Sequence, residues 1–178
     1  MNGAVKASIF IGISVDGFIA RLNGDLDFLP ADGGEPHGYE EFMASVDALV
    51  MGRKTYETVL GFGGPWPFEK PVFVLSTRTL PPAPRGAVVE YLSGTPQEVV
   101  SALEARGIRH IYVDGGVTIQ GFLRAGLIDR LIVTRVPVLI GSGIPLFGAL
   151  ERDVQLKHVA TRSFASGLVQ SEYEVGLP

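Results

Sequence analysis

The stretch VDGGVTIQGFL, Val113 to Leu123, constrains this chain more than any other. Apolar and β-branched residues stop at an acid, Asp114, two glycines follow, and apolar residues then recur at helical spacing. A strand that passes to a helix through Gly115 and Gly116 belongs in an α/β sheet, where crossover helices follow strands. It also suits a phosphate. Glycines lack Cβ, reach backbone angles closed to other residues and let a ligand approach the main chain. The helix behind them offers unpaired N–H groups at its positive end. Taken alone, the pair is equally an ordinary tight turn.

Two further segments repeat the pattern. In ALVMGRKTYETVL, Ala48 to Leu60, an apolar strand breaks at Gly52, and Arg53, Lys54 and Thr55 open the next helical run. Cations there oppose the helix macrodipole by about 0.3–1 kcal/mol each, a conflict that an anionic ligand removes. In VFVLSTR, Val72 to Arg78, an apolar strand ends in Ser76, Thr77 and Arg78. Ligands of open α/β sheets sit outside the carboxyl ends of parallel strands, so these ends predict one extended, phosphate-bearing cofactor. The G-x-G-x-x-G fingerprint is missing: the first strand, Ala7 to Ser14, runs into SVDGFIA, and GSGIPLFG, Gly141 to Gly148, has other spacing and contains Pro145.

Taken in order, SIFIGISVDGFIA, ALVMGRKTYE, VFVLSTR, IYVDGGVTIQGFL, DRLIVTRVPVLIGSGIPLF and a closing strand pair resemble the dihydrofolate reductases and the riboflavin-pathway reductases that share their fold. SVDGFIA, VDGG and GSGIPLF are most similar to the reductase domain of the bifunctional riboflavin deaminase-reductase. The resemblance implies a three-layer α/β fold: a central, mostly parallel sheet, helices on both faces and a C-terminal antiparallel strand pair, as a single domain over residues 1–178. It implies NADPH as cofactor. Arg53, Ser76, Thr77 and Arg78, with Leu75 before them, would lie near the adenosine 2′-phosphate. Gly52, Lys54, Thr55 and the backbone of Gly115, Gly116, Val117, Thr118 and Ile119 would take the pyrophosphate. Ile13 and Ile19 would pack on the nicotinamide.

The implied reaction is hydride transfer to a C=N bond, or to an imine derived from a ribose C=O, of a phosphoribosylamino-pyrimidine. A dihydrofolate or pterin reductase is the alternative, and a non-catalytic nucleotide-binding protein a third. Hydride transfer asks the protein mainly for positioning; protonation asks for an acid. Dihydrofolate reductases carry a carboxylate on their first helix, and the matching region here holds Asp27, Asp32, Glu35, Glu40 and Glu41. Asp27 and Glu40 are the candidates, each equally a solvated carboxylate. The riboflavin-type enzymes lack that acid as a fixed feature, which leaves water as the donor.

Asp114 matches the acid that the riboflavin reductases place before their glycine turn, and is the candidate catalytic and substrate-binding carboxylate. Aspartate in a turn also bonds its own backbone. Thr134, mid-strand in IVTRV, matches the threonine that holds the pterin in dihydrofolate reductases, though a β-branched residue in a strand needs no function. Asp16, in SVDG, reads as a turn former before Gly17.

Composition excludes other classes. With 178 residues, 46% of them hydrophobic and 19% charged, the chain suits one globular domain, which buries about 70% of its unfolded surface. A net charge of −4 speaks against a general nucleic-acid binder. Cysteine is absent and His37, His110 and His158 have no ligand-like spacing, so no metal is expected. Neither a basic-apolar leader nor an apolar run of about 18 residues is present, which predicts a cytoplasmic protein without membrane contact. The apolar length of LIVTRVPVLI, with the resemblance, predicts a homodimer.

The clearest predicted helix opens at TPQE, with Thr95 as N-cap, Pro96 at the first position and Glu98 closing a capping box, and ends at Gly107. Another, after Gly116, buries Ile119, Phe122 and Leu123 and stops near Gly126. From Asp129 the pattern predicts strands: LIVTRVPVLI, Val154 to Ser163 and Leu168 to Val175, the last two as a hairpin around Ala165 to Gly167. GFGGPWPFEKP and PPAPRG read as surface loops, with Trp66 covering an edge.

Overall fold

The computed structural model describes residues 4–31 and 34–176. Its elements are β1 (Lys6–Ser14), β2 (Phe18–Ala20), α1 (Tyr39–Ser45), β3 (Ala48–Gly52), α2 (Arg53–Gly61), β4 (Val72–Leu75), β5 (Val89–Leu92), α3 (Pro96–Ala105), β6 (His110–Asp114), α4 (Gly116–Arg124), β7 (Arg130–Val136), β8 (Ile144–Pro145), β9 (Leu156–Ser163) and β10 (Val169–Val175).

Eight strands form one sheet in the order β5-β4-β3-β6-β1-β7-β10-β9. The first six run parallel; β10 pairs antiparallel with β7 and β9 antiparallel with β10. This is the expected α/β architecture. The parallel strands ALVM, VFV and IYV are buried on both faces, which explains why they read as continuous apolar runs. On one face, Ile9, Val50, Val113 and Leu131 pack with Val99 and Leu103 of α3 and Ile119, Phe122 and Leu123 of α4. On the other, Phe10, Leu49, Met51, Tyr112 and Ile132 pack with Phe42 of α1 and Tyr56 of α2.

The capping box of α3 forms as its sequence predicts: Glu98 N donates to Thr95 Oγ1 at 3.2 Å and Thr95 N to Glu98 Oε2 at 2.8 Å. The β9–β10 hairpin turns where expected, with Gly167 at φ +91°. Boundaries differ in the last third. β7 stops at Val136 because Pro137 has no N–H to donate to a ladder, so Val138 to Ile140 leave the sheet; β9 starts at Leu156 and β10 at Val169. Trp66 packs against Tyr56 and Phe68 beside the second core.

GSGIPLFG contributes an element that periodicity did not reveal. β8 pairs with β2, with Phe18 opposite Pro145 and Ala20 opposite Ile144. Asp16 serves this join as well as its own turn, where its carboxylate also bonds Ser14. Its carboxylate accepts from Gly141 N at 2.8 Å and Ile140 N at 3.3 Å, while Ser14 closes the turn by accepting from Gly17 N and Phe18 N at 3.0 Å.

Candidate cofactor and substrate site

Sheet order puts β6 between β3 and β1, and this brings the two glycine junctions together. Gly115 has φ +94°, a conformation that costs a side chain dearly, and a Cβ there would run into Thr55 Oγ1. A Cβ on Gly52 would lie 2.8 Å from Thr118 Oγ1. The starts of α2 and α4 therefore touch, each through the other's glycine. Neither helix has a side-chain cap, unlike α3. The first-turn N–H groups of Arg53, Lys54 and Thr55 and of Gly116, Val117 and Thr118 thus have no intrahelical acceptor.

Three expectations change at this point. Only Gly115 uses a positive φ; Gly116 is helical, and its lack of a side chain serves packing, since a Cβ would lie 2.9 Å from Ile19 Cδ1 and 3.3 Å from Ile144 Cγ2. Ile119 is not available to a phosphate: its N–H donates to Gly115 O at 2.8 Å and its side chain is fully buried in the core. Ile13 is likewise a core residue, 2% exposed, whereas Ile19 is half-buried above Gly116.

Beside the α2 start, a cavity of about 370 Å³ is lined by Arg53, Leu75, Ser76, Thr77, Arg78, Ser93 and Gly94. The Arg53 guanidinium also meets both carboxylate oxygens of Glu57 at 3.1 Å, so part of its conflict with the helix start is relieved within α2 itself. Ser76 Oγ accepts from Arg78 N at 3.0 Å, closing the turn after β4. Ser93 and Gly94 complete this lining beyond the residues predicted for it. The strand-to-glycine-to-helix order in YLSGTPQE marks them, in the same stretch that caps α3.

Asp114 ends β6, half-buried, with Oδ1 accepting from Gly115 N at 2.9 Å. Burial pushes its pKa up to about 6 against that one hydrogen bond. Tyr112 donates to Phe10 O at 2.8 Å; burial first, and the Asp114 charge second, raise the pKa of Tyr112 and of Tyr39. Side chains alternate along a strand, so Asp114 shares a sheet face with Tyr112, and Thr134 shares it with Ile132. Thr134 is 3% exposed and opposite Gly12. The other candidate acids are exposed. Asp27 is bound to Arg21 Nε at 2.5 Å in an exposed loop, and Glu40 is exposed in the first turn of α1. Asp32 lies outside the described residues.

The residues present fit an extended diphosphate with a further phosphate: two uncapped helix starts meet at glycines where a side chain would crowd the facing helix, next to a cavity bearing two arginines. Among the described residues, no three His, Cys, Asp or Glu side chains group to hold a metal, and no helix is long and apolar enough to cross a membrane.

The fold is of the dihydrofolate reductase-like class. Dihydrofolate reductase from Enterococcus faecalis, solved in complex with NADP(H), superposes with a TM-score of 0.64 at 20% identity over 96% of both chains, a likeness of fold. Within that class the chain belongs to the RibD C-terminal domain family, whose model matches residues 6–170. A putative riboflavin biosynthesis protein from Shewanella sp. PV-4 superposes with a TM-score of 0.90 at 39% identity, over 97% of this chain and all 100% of that one. The uncharacterized protein YwjB of Bacillus subtilis is 31% identical over 170 residues, 94% of this chain and 97% of that protein.

Proposed function

We propose that this protein is an NADPH-dependent reductase of the riboflavin-pathway type, acting on a C=N bond or ribose-derived imine of a phosphoribosylamino-pyrimidine. The observation that carries this reading is the contact of Thr55 with Gly115 at two uncapped helix starts, with Asp114 one residue away. NADPH, when bound, supplies the hydride. The free N–H groups of α2 and α4 hold its diphosphate, and Arg53, Ser76, Thr77 and Arg78 hold the 2′-phosphate, arginine by its bidentate fork. Asp114 and Thr134 contact the substrate. With a pKa near 6, Asp114 keeps a protonated fraction near neutrality and can hold a proton beside the reacting nitrogen, or bind a ribose hydroxyl once ionised. The putative riboflavin biosynthesis role given to the Shewanella protein, and the NADP(H) bound to the Enterococcus one, support the assignment. The reading includes a cytoplasmic homodimer, with β9, one of the two edge strands of the sheet, exposed along its whole length.

The test is turnover. Purified protein should oxidise NADPH when given 5-amino-6-(5-phosphoribosylamino)uracil and be much slower with dihydrofolate. Asp114→Asn should lower kcat while sparing NADPH affinity, because the lost contact is made to the substrate and not the cofactor. Fast dihydrofolate reduction that survives this change would favour the pterin-reductase reading and return attention to Asp27 and Glu40.

A further inference from the structure

We infer that the cavity behind α1 is a second small-molecule site, suited to an aromatic α-amino acid. This goes beyond the reading above and does not rest on it. The cavity, about 390 Å³, lies between α1 and the sheet face formed by β1, β7, β10 and β9. It shares no lining residue with the cavity beside Arg53. β1 separates it from β6, which carries Asp114. Phe10 on β1 is the partition, with Phe42 and Tyr39 of α1 against its ring at centroid distances of 5.1 and 5.6 Å.

Local sequence builds the wall on the helix side. Gly38, Glu41, Phe42 and Ser45 stand at i, i+3, i+4 and i+7, so one helical face turns them all to the cavity. The chain entering α1 is tied down opposite. Gln170 Nε2 donates to His37 O at 2.9 Å and to Thr134 Oγ1 at 3.0 Å, and its Oε1 accepts from Arg162 Nη2 at 2.9 Å. Glu35 accepts from Ser166 N, in the β9–β10 turn, at 2.9 Å. The cavity is therefore formed before any ligand arrives, at a size near the lower end of the roughly 300–1,000 Å³ of small-molecule sites. Its floor suits a flat ring: Phe10, Phe42 and Ile132, with the His37 ring stacked on Phe10 at 5.5 Å.

Four charged side chains line this space, and only two of them satisfy each other. Arg130 Nε donates to Glu172 Oε1 at 2.7 Å. Among the described residues, Arg162 and Glu41 have no ion-pair partner. The lining is thus left with one free cation and one free anion. Arg162 Nη2 lies 3.3 Å from where a Cβ of Gly38 would stand, and Glu41 follows three residues on, a rise of about 4.5 Å along the helix. A carboxylate and an ammonium on one carbon match that pair, the carboxylate on the guanidinium and the ammonium on Glu41. A ring attached to the same carbon reaches the aromatic floor. A ligand with the carboxylate alone leaves Glu41 facing a like charge, and one with the amine alone leaves Arg162 so placed.

Chemical-shift titration of the isotope-labelled protein with L-phenylalanine, glycine, phenylpropanoate and phenylethylamine tests this. Phenylalanine should saturate with a Kd below about 1 mM, shifting the amides of Gly38, Glu41 and Gln170 and leaving those of Arg53 and Ser76 in place. Each ligand lacking one charge should bind about tenfold more weakly or worse, the scale of one charge-assisted hydrogen bond, and glycine, lacking the ring, should not bind measurably. Two variants match each protein charge to its ligand group. Arg162→Met should bring phenylalanine down to the affinity of phenylethylamine, and Glu41→Gln should bring it down to that of phenylpropanoate. Both residues are exposed, and Arg162→Met leaves the Gln170 bonds to His37 and Thr134 in place, so the variants should fold. Failure of phenylalanine to saturate, shifts centred on Arg53 or Asp114, equal binding of glycine, or the wild-type order of affinities in either variant would overturn the site.

Discussion

Asp114 carries the sharpest consequence at the scale of single residues. Its folded pKa of about 6 lies above its ordinary value of 3.8 because burial disfavours the charge. The native state thus holds a proton that the unfolded chain releases, and the associated stability is present below pH 3.8 and lost as pH rises through about 6. Asp114→Asn should therefore raise the thermal midpoint above that window, with the gain shrinking as pH falls through it. A pH-independent difference in thermal melts would show that the carboxylate is not held neutral by its surroundings. Arg53 is the second case. Its pair with Glu57 joins partly exposed groups one helical turn apart, worth about 0.3–0.5 kcal/mol, so Arg53→Ala should barely move stability. It should weaken NADPH by roughly tenfold to a hundredfold through loss of a charge-assisted contact, and NADH far less. Equal weakening of both cofactors in titrations would remove the 2′-phosphate role.

Among the elements, α2 and α4 stand apart from α3. The capping box of α3 satisfies its own first turn and was legible because Thr95, Pro96 and Glu98 act within one turn of each other. The starts of α2 and α4 are bare, and they abut through Gly115 and Gly52. Gly115→Ala should cost about 1–3 kcal/mol for the positive φ and the clash with Thr55, and should lower NADPH affinity more than tenfold. Normal NADPH binding by a folded Gly115→Ala protein would move the phosphate site elsewhere. The β2–β8 ribbon could not be read in advance. Strands of three and two residues are too short for alternation to register, and the Asp16 carboxylate that ties them spans loops far apart in the chain.

For the whole molecule, the β9 edge of the sheet is the feature with a measurable outcome. All eight residues of β9 are exposed, Leu156 and Val159 among them, and an edge of this length invites pairing. Light scattering at micromolar concentration should give twice the mass of one chain; the mass of a single chain would exclude a stable dimer.

What the sequence determined by itself is whatever depends on near neighbours. The strand ends at Gly52, Leu75 and Asp114, the glycine turns, the α3 cap and the β9–β10 hairpin follow from burial periodicity and local backbone chemistry, which act over a few residues. The ordered set of these segments also carried the resemblance to the reductases. Tertiary structure alone decided which of them meet. Thr55 touches Gly115 because β6 inserts between β3 and β1, Ser93 joins Arg53 because β5 flanks β4, and Arg162, Gln170 and Thr134 align because β10 lies between β9 and β7. It also removed Ile13 and Ile119 to the core and left Asp27 paired in a loop. Contacts of that kind depend on strand order, which is a property of how the whole chain buries its apolar faces and leaves no local mark on the residues concerned.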